Sequence, residues 1–231
     1  MRKQFSSLFD IVGPVMIGPS SSHTAGAARI GALARRILGE EVAKAHIILY
    51  ESLALTGRGH GTDLALLGGL LGLASHDPEL VEAAQRASAA GLTVSWQLEQ
   101  RSPTGHPNTV YLELWGRSSE VSTYILAESR GGGKVRVVSI DGFPVDMAGV
   151  HPTLLVYHQD RAGAVAQVGA KLAQGDINIA FMELARTERG KDALMVMELD
   201  QEPTAEILAE IAGLSVVTKI RFCPPEGEAK L

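Results

Sequence analysis

Apolar residues recur three and four apart from Ala25 to Ile37, with Ala25, Ala28, Ile30, Leu33, Ala34 and Ile37 on one face and Arg29, Arg35 and Arg36 away from it. That period predicts a helix over Thr24 to Leu38, stopped by Gly39. Ser20, Ser21 and Ser22 stand at its start, where capping oxygens belong. The run Ala45 to Glu51 predicts a strand. A glycine-rich turn, Thr56 to Gly61, leads into an apolar helix over Thr62 to Ala74. Asp77-Pro78 opens a further helix, Glu79 to Ala90, closed by Gly91. Strands are predicted over Thr93–Glu99, Thr109–Leu114, Ser119–Ala127 and Lys134–Ile140, the last after the breaker Gly131-Gly132-Gly133. The segment Asp141 to Pro152 carries two prolines and two glycines with no period, and reads as a linker.

Beyond the linker the pattern is cleaner. Thr153–Gln159 predicts a strand, Ala164–Ala173 a helix, Ile177–Thr187 and Ala193–Asp200 two strands about Glu188-Arg189-Gly190. Thr204–Ala212 predicts a helix and Val216–Phe222 a last strand. The order is βαββαβ, the split ferredoxin-like arrangement. The expected class is α+β, with one domain over residues 1–145 and a second over 152–223.

The length agrees: 231 residues at roughly 150 per domain suggests two domains, one of them small. With 45% hydrophobic and 20% charged residues the chain is globular and argues against disorder. Net charge is -5 and no Lys/Arg-rich run occurs, which disfavours nucleic acid as a partner. The longest apolar stretch, Leu64 to Ala74, is broken by glycines and is shorter than the roughly 20 residues a membrane span needs. Met1 to Phe9 is charged and mixed, so no secretory segment is expected there. The single cysteine, Cys223, excludes an intrachain disulfide and any iron–sulfur cluster held by this chain, since a cluster takes three or four thiolates. It reads as a buried strand-end thiol, and scarce cysteine fits a reducing cytoplasm.

Chemistry concentrates in two segments. Gly13 to Thr24 places Ser20, Ser21, Ser22, His23 and Thr24 at a helix start, where free N–H groups and hydroxyls suit a carboxylate or phosphate. His23 adds a group that exchanges a proton near neutral pH. A capped helix after a Gly-Pro turn is the structural alternative. Thr56-Gly57-Arg58-Gly59-His60-Gly61-Thr62-Asp63 sets His60 between glycines that allow close approach, with Asp63 placed to orient it or to cap the next helix. A glycine-rich turn with a solvated histidine is the alternative there. The glycine spacing does not match the dinucleotide fingerprint. No zinc-hydrolase histidine pair and no nucleophile elbow occurs. His106, between strands, reads as a surface-loop residue. In the second domain Asp160-Arg161-Ala162-Gly163 joins a strand to a helix, with Gly163 at a helix start that suits a carboxylate. The topology leads us to expect Asn178 nearby.

Ser7 to Gly26, read as a whole, resembles the N-terminal signature of the iron–sulfur-dependent L-serine dehydratases, and Ser52 to Asp63 is similar to that family's second segment. The second domain looks like an ACT domain, a regulatory module that often binds amino acids. The resemblance covers nearly the whole chain and matches the beta chain of the two-chain bacterial form. It implies conversion of L-serine to pyruvate and ammonia, with a [4Fe–4S] cluster held by the cysteines of an alpha chain and no metal in this one. It implies a first domain similar to the allosteric-substrate-binding domain of some 3-phosphoglycerate dehydrogenases. It carries a catalytic role onto His60. Substrate or effector binding falls on Ser20, Ser21, Ser22, His23, Thr24, Thr62, Asp63, Asp160 and Gly163. The implied partners are the alpha chain, L-serine as substrate or effector, and a second copy of this chain. The turn before Gly163 lacks the proline common in ACT domains. The alternative reading is a stand-alone amino-acid sensor with no catalytic role. A hydro-lyase complete in one chain is disfavoured by the lack of a cofactor motif.

Overall fold

The computed structural model describes residues 14–118 and 122–227. The start of the first motif, residues 7–13, and the start of the strand expected at Ser119 lie outside them. The chain divides into two compact units, Met1–Asp141 and Gly142–Leu231.

In the first unit a short π-helical turn, Ser21–Ala25, runs into α1, Gly26–Leu38. The apolar face expected of α1 is buried, and Gly39, left-handed at φ 85°, ends it by donating to Arg35 O. Strand β1 (Val42–Tyr50) is followed by α2 (Glu51–Thr56), one 3-10 turn (Arg58–His60) and α3 (Thr62–Leu71). The helix expected from Glu79 to Ala90 is split into a 3-10 turn, Pro78–Glu82, and α4, Ala83–Ala89. The strands β2 (Thr93–Glu99), β3 (Thr109–Gly116), β4 (Ser122–Gly131) and β5 (Lys134–Ile140) complete the unit. They run β2-β1-β3-β4-β5. Only β1 and β2 are parallel, because the α2–α4 segment crosses over between them.

Helix α1 packs on one face of this sheet, against β3, β4 and β5, and α3 packs on α1. Ile30, Leu33, Ile37, Leu66 and Leu70 are at most 1% exposed, and each such side chain contributes about 1.5–3 kcal/mol by leaving water. The two helices approach at glycines. A Cβ on Gly31 would collide with the Leu66 carbonyl, and one on Gly69 with the Ala28 carbonyl. This backbone contact explains why α3 is apolar on all sides: it lies between α1 and α4.

The second unit opens with a strand, β6 (Phe143–Met147), inside the segment expected to be a linker. Its alternation of buried Phe143, Val145 and Met147 with exposed Pro144 and Asp146 is a period of two that the prolines and glycines around it mask. Then follow β7 (Thr153–Gln159), α5 (Ala164–Gln174), β8 (Ile179–Arg186), β9 (Asp192–Leu199), α6 (Ala205–Ala212) and β10 (Val217–Cys223). The sheet runs β10-β7-β9-β8 with antiparallel neighbours throughout, the expected ferredoxin-like fold. Its core joins Leu154 and Val156 to Val168, Leu172, Met197 and Ile211. Cys223 is buried at the end of β10. Among the described residues no helix is long and apolar enough to cross a membrane.

Candidate functional site

The two sequence motifs meet at a pair of imidazoles. The His23 and His60 ring centroids are 4.9 Å apart. Ser20 caps the π-helical turn, its Oγ accepting the His23 N–H at 3.1 Å. The same Oγ lies 3.2 Å from His23 Nδ1, and Ser52 Oγ lies 3.1 Å from His23 Nε2. Both ring nitrogens of His23 are therefore held by hydroxyls.

His60 is pinned differently. Its Nδ1 is 2.9 Å from the Thr56 carbonyl oxygen. A carbonyl can only accept, so Nδ1 carries the proton and the neutral ring keeps its lone pair on Nε2. Thr24 Oγ1 donates to the His60 carbonyl at 3.0 Å, which fixes the backbone of the turn. Thr24 reaches it by passing Gly18, whose φ of 143° and missing Cβ leave the room: a side chain there would strike Thr24. His60 lines a cleft of about 210 Å³ with apolar walls from Ile17, Pro19, Leu64 and Val81.

Burial holds the His23 imidazole below its ordinary value, the nearby His60 ring pushes the same way, and a hydrogen bond to the Ser52 backbone opposes them. The balance favours the neutral form of His23, which can donate on one nitrogen and accept on the other. The pair offers a free base at His60 Nε2 beside a neutral ring, an arrangement suited to moving a proton.

The remaining expected residues spread around this centre. Ser22 is tied to the sheet, its carbonyl accepting from Ser129 Oγ at 2.8 Å. Ser21 accepts the Gly26 N–H through its carbonyl. Thr62 is 0% exposed and does not line the cleft. Asp63 stands in the first turn of α3. In the second unit Asp160 accepts from Arg186 Nη1 and from the Gly190 N–H, each at 2.9 Å. These two contacts hold its carboxyl below the usual range and tie down the β8–β9 turn. Gly163, at φ 87°, precedes α5. Asn178 is not beside them. It binds Asp200 at 2.7 Å, whereas the Asp160 N–H meets Lys191 O, at the opposite end of β9. The antiparallel β8–β9 hairpin carries Asn178 a full strand length away.

Motif reading gave Ser52 and Thr56 no role of their own and read His106 as a surface-loop residue. Ser52, Thr56 and His60 stand four apart, the helical spacing that could have revealed their alignment. His106 is not a free surface residue. It lies near Glu51, Glu128 and Arg130, and burial pushes its imidazole down. Its loop holds the start of α2, with Pro107 O accepting the Ser52 N–H at 3.0 Å and Ser102 N donating to Glu51 Oε1 at 2.9 Å.

The chain is similar in sequence to known proteins. The family profile of the serine dehydratase beta chain matches residues 7–138, and that of the ACT domain residues 152–215. The chain is 42% identical over 217 residues to a probable L-serine dehydratase, beta chain, of Bacillus subtilis (strain 168), covering 94% of this chain and 97% of that one. It is 30% identical over 216 residues to an L-serine dehydratase, beta chain, of Peptoniphilus asaccharolyticus, with the same coverage of 94% and 97%. It is 26% identical over 199 residues to a D-3-phosphoglycerate dehydrogenase of Bacillus subtilis (strain 168), covering 85% of this chain and 37% of that enzyme.

Proposed function

The chain belongs to the serine dehydratase beta-chain family, and we propose that it supplies His60 to an active site shared with an alpha chain, where L-serine becomes pyruvate and ammonia. Serine loses its α-proton and its β-hydroxyl, the latter as water. The resulting enamine tautomerises to an imine that water hydrolyses. His60 Nε2 takes or returns the proton, since Nδ1 is committed to Thr56 O. The start of α1, with Ser20 and the neutral His23, faces the substrate carboxylate or the chain contact.

A [4Fe–4S] cluster is part of this reading and would supply a Lewis acid for the departing hydroxyl. This chain does not fit it: Cys223 is its single cysteine and is buried, and on this reading the thiolates come from the alpha chain. The observation that carries the proposal is apolar surface beside a proton-transfer group. Leu55, next to Thr56, is 82% exposed, and Val81 on the cleft rim is 63% exposed. Exposed apolar side chains at these two positions support a chain contact that would bury them. The edge strand β8 exposes Phe181, Met182 and Leu184, which supports self-pairing through the ACT unit. That unit is the place for an amino-acid effector near Gly163. Asp160 then acts by shaping the turn. The proposed compartment is the cytoplasm.

The test is anaerobic pyruvate release from L-serine by this chain alone, by the alpha chain alone, and by both. Activity only in the mixture, with a loss of about 10²-fold or more for His60→Ala, supports the shared site. Full activity of the alpha chain by itself favours the second reading, a regulator with no catalytic part.

A further inference from the structure

Ser52 uses every polar group it has. Its N–H donates to Pro107 O at 3.0 Å, its carbonyl accepts from Thr56 Oγ1 at 2.9 Å, and its Oγ lies 3.1 Å from His23 Nε2. The Thr56 carbonyl then accepts from His60 Nδ1, and Thr24 Oγ1 closes the circuit at the His60 carbonyl. One residue at the start of α2 is linked to both imidazoles. The backbone before it is unusual. Glu51 is a non-glycine residue at φ 44°, in the left-handed region. Such a conformation persists only where the surroundings over-determine it. Here it turns the chain sharply from β1 into α2 and aims Ser52 at His23.

We infer that Ser52 is a positioning residue of the two-histidine site: its hydroxyl grips His23 at Nε2 and holds that ring beside His60. The inference rests on the shared-site reading above. A hydroxyl suits the task because it donates or accepts. It keeps its hold on Nε2 whichever nitrogen of neutral His23 bears the proton, and Ser20 does the same at Nδ1. His23 can therefore exchange tautomers without turning its ring. A carbonyl or an ammonium in place of either serine would lock one form.

The test uses Ser52→Ala and the hydroxyl-retaining Ser52→Thr. In the full chain, imidazole proton–nitrogen spectra are expected to show the His23 Nε2 signal moved by Ser52→Ala. The cross-relaxation between the His23 and His60 rings is expected to be lost, with both features restored in Ser52→Thr. In the assembled two-chain enzyme Ser52→Ala should lower kcat by about 10- to 100-fold, the scale of a 1 Å misplacement. KM should change little, and Ser52→Thr should recover most of the rate. Unchanged ring signals in Ser52→Ala, or a Ser52→Thr as damaged as Ser52→Ala, overturn the inference. Wild-type turnover in Ser52→Ala beside a crippled His60→Ala also overturns it and leaves the shared site standing. Wild-type turnover in both variants removes the shared-site reading itself.

Discussion

His23 and His60 come from segments far apart in the chain, yet their rings stand 4.9 Å apart with a tilt of 35°. At that distance a proton on one ring opposes a proton on the other. The π-helical turn at Ser21–Ala25 and the 3-10 turn at Arg58–His60 bring them there. Neither turn belongs to a regular helix, and both lie where a helix begins.

The first prediction concerns stability against pH. The folded His23 imidazole is held below its ordinary value of 6.5, chiefly by burial, and so is His106. The unfolded chain thus binds more protons than the folded one in this window, so stability rises with pH there. It should be complete above about pH 6.5 and fall as the pH drops through that value, levelling off below the folded pKa. Urea unfolding between pH 5 and 8 is the measurement. His23→Gln and His106→Gln should each flatten the curve, and the pair should flatten it further. Asp160 and Glu206 have their carboxyls held low, so their contribution is lost only at lower pH, below the ordinary 3.8 and 4.5. A slope in the neutral window that survives the double substitution would contradict the assignment.

A second prediction sets two glycines against each other. Gly69 meets the Ala28 carbonyl and the Ala32 N–H across the α1–α3 contact, so a methyl there has nowhere to go. Gly69→Ala should destabilise the chain by about 1–3 kcal/mol, the usual scale of overpacking. Because α3 follows directly on the His60 turn, the substitution should also weaken assembly. Gly169 in α5 has no atom within 4 Å of its would-be Cβ. Gly169→Ala should stabilise by roughly 0.5–1 kcal/mol through backbone entropy. Thermal unfolding of both variants decides the matter, and equal signs would refute it.

Much of this fold was legible in the sequence. The period of α1 and the whole βαββαβ order followed from spacing, because breakers such as Gly163, Gly175 and Gly190 separate the apolar runs. The misses have physical causes. Strand β6 was hidden by Pro144 and Gly142, whose breaker signal outweighed a five-residue alternation. Helix α2 is six residues long, too short to show a period. The site was half legible. His23 and His60 stood out by chemistry, but Ser52 did not, since its role depends on Glu51 adopting a conformation that non-glycine residues rarely take. Asn178 was misplaced because reading order along a hairpin does not say which end of the sheet a residue reaches.

Glu51 yields a third prediction. Its carboxylate accepts the Ser102 N–H at 2.9 Å, and its backbone sits at φ 44°. Glu51→Ala loses the hydrogen bond and keeps the backbone cost. Glu51→Gly loses the hydrogen bond and removes that cost, which is about 1–2 kcal/mol for a residue with a Cβ. Glycine should therefore be the more stable replacement by about 1 kcal/mol. The usual order in a helix is the reverse, with alanine favoured by about 1 kcal/mol. Parallel denaturation curves of the two variants test this, and alanine proving the better substitute would mean that the strain is absent in solution.

The last prediction separates the two surfaces by which this chain is proposed to associate. Val81, 63% exposed, lines the His60 cleft, and Leu55, 82% exposed, precedes the Thr56 that holds the His60 ring. Little is buried by either in the isolated chain, so Leu55→Asp and Val81→Asp should change its unfolding free energy by no more than about 0.5 kcal/mol. If they anchor the alpha chain, placing a carboxylate there should weaken the complex by about 2 kcal/mol, roughly a 30-fold rise in Kd. Phe181 lies on the edge strand β8, on the other unit, and is 39% exposed. Phe181→Asp should leave alpha-chain binding intact and reduce self-association. Titration calorimetry with the alpha chain, and sedimentation of this chain alone, read the two effects independently. Loss of alpha-chain binding in Phe181→Asp, with none in Leu55→Asp or Val81→Asp, would move the catalytic contact away from His60 and onto the ACT unit.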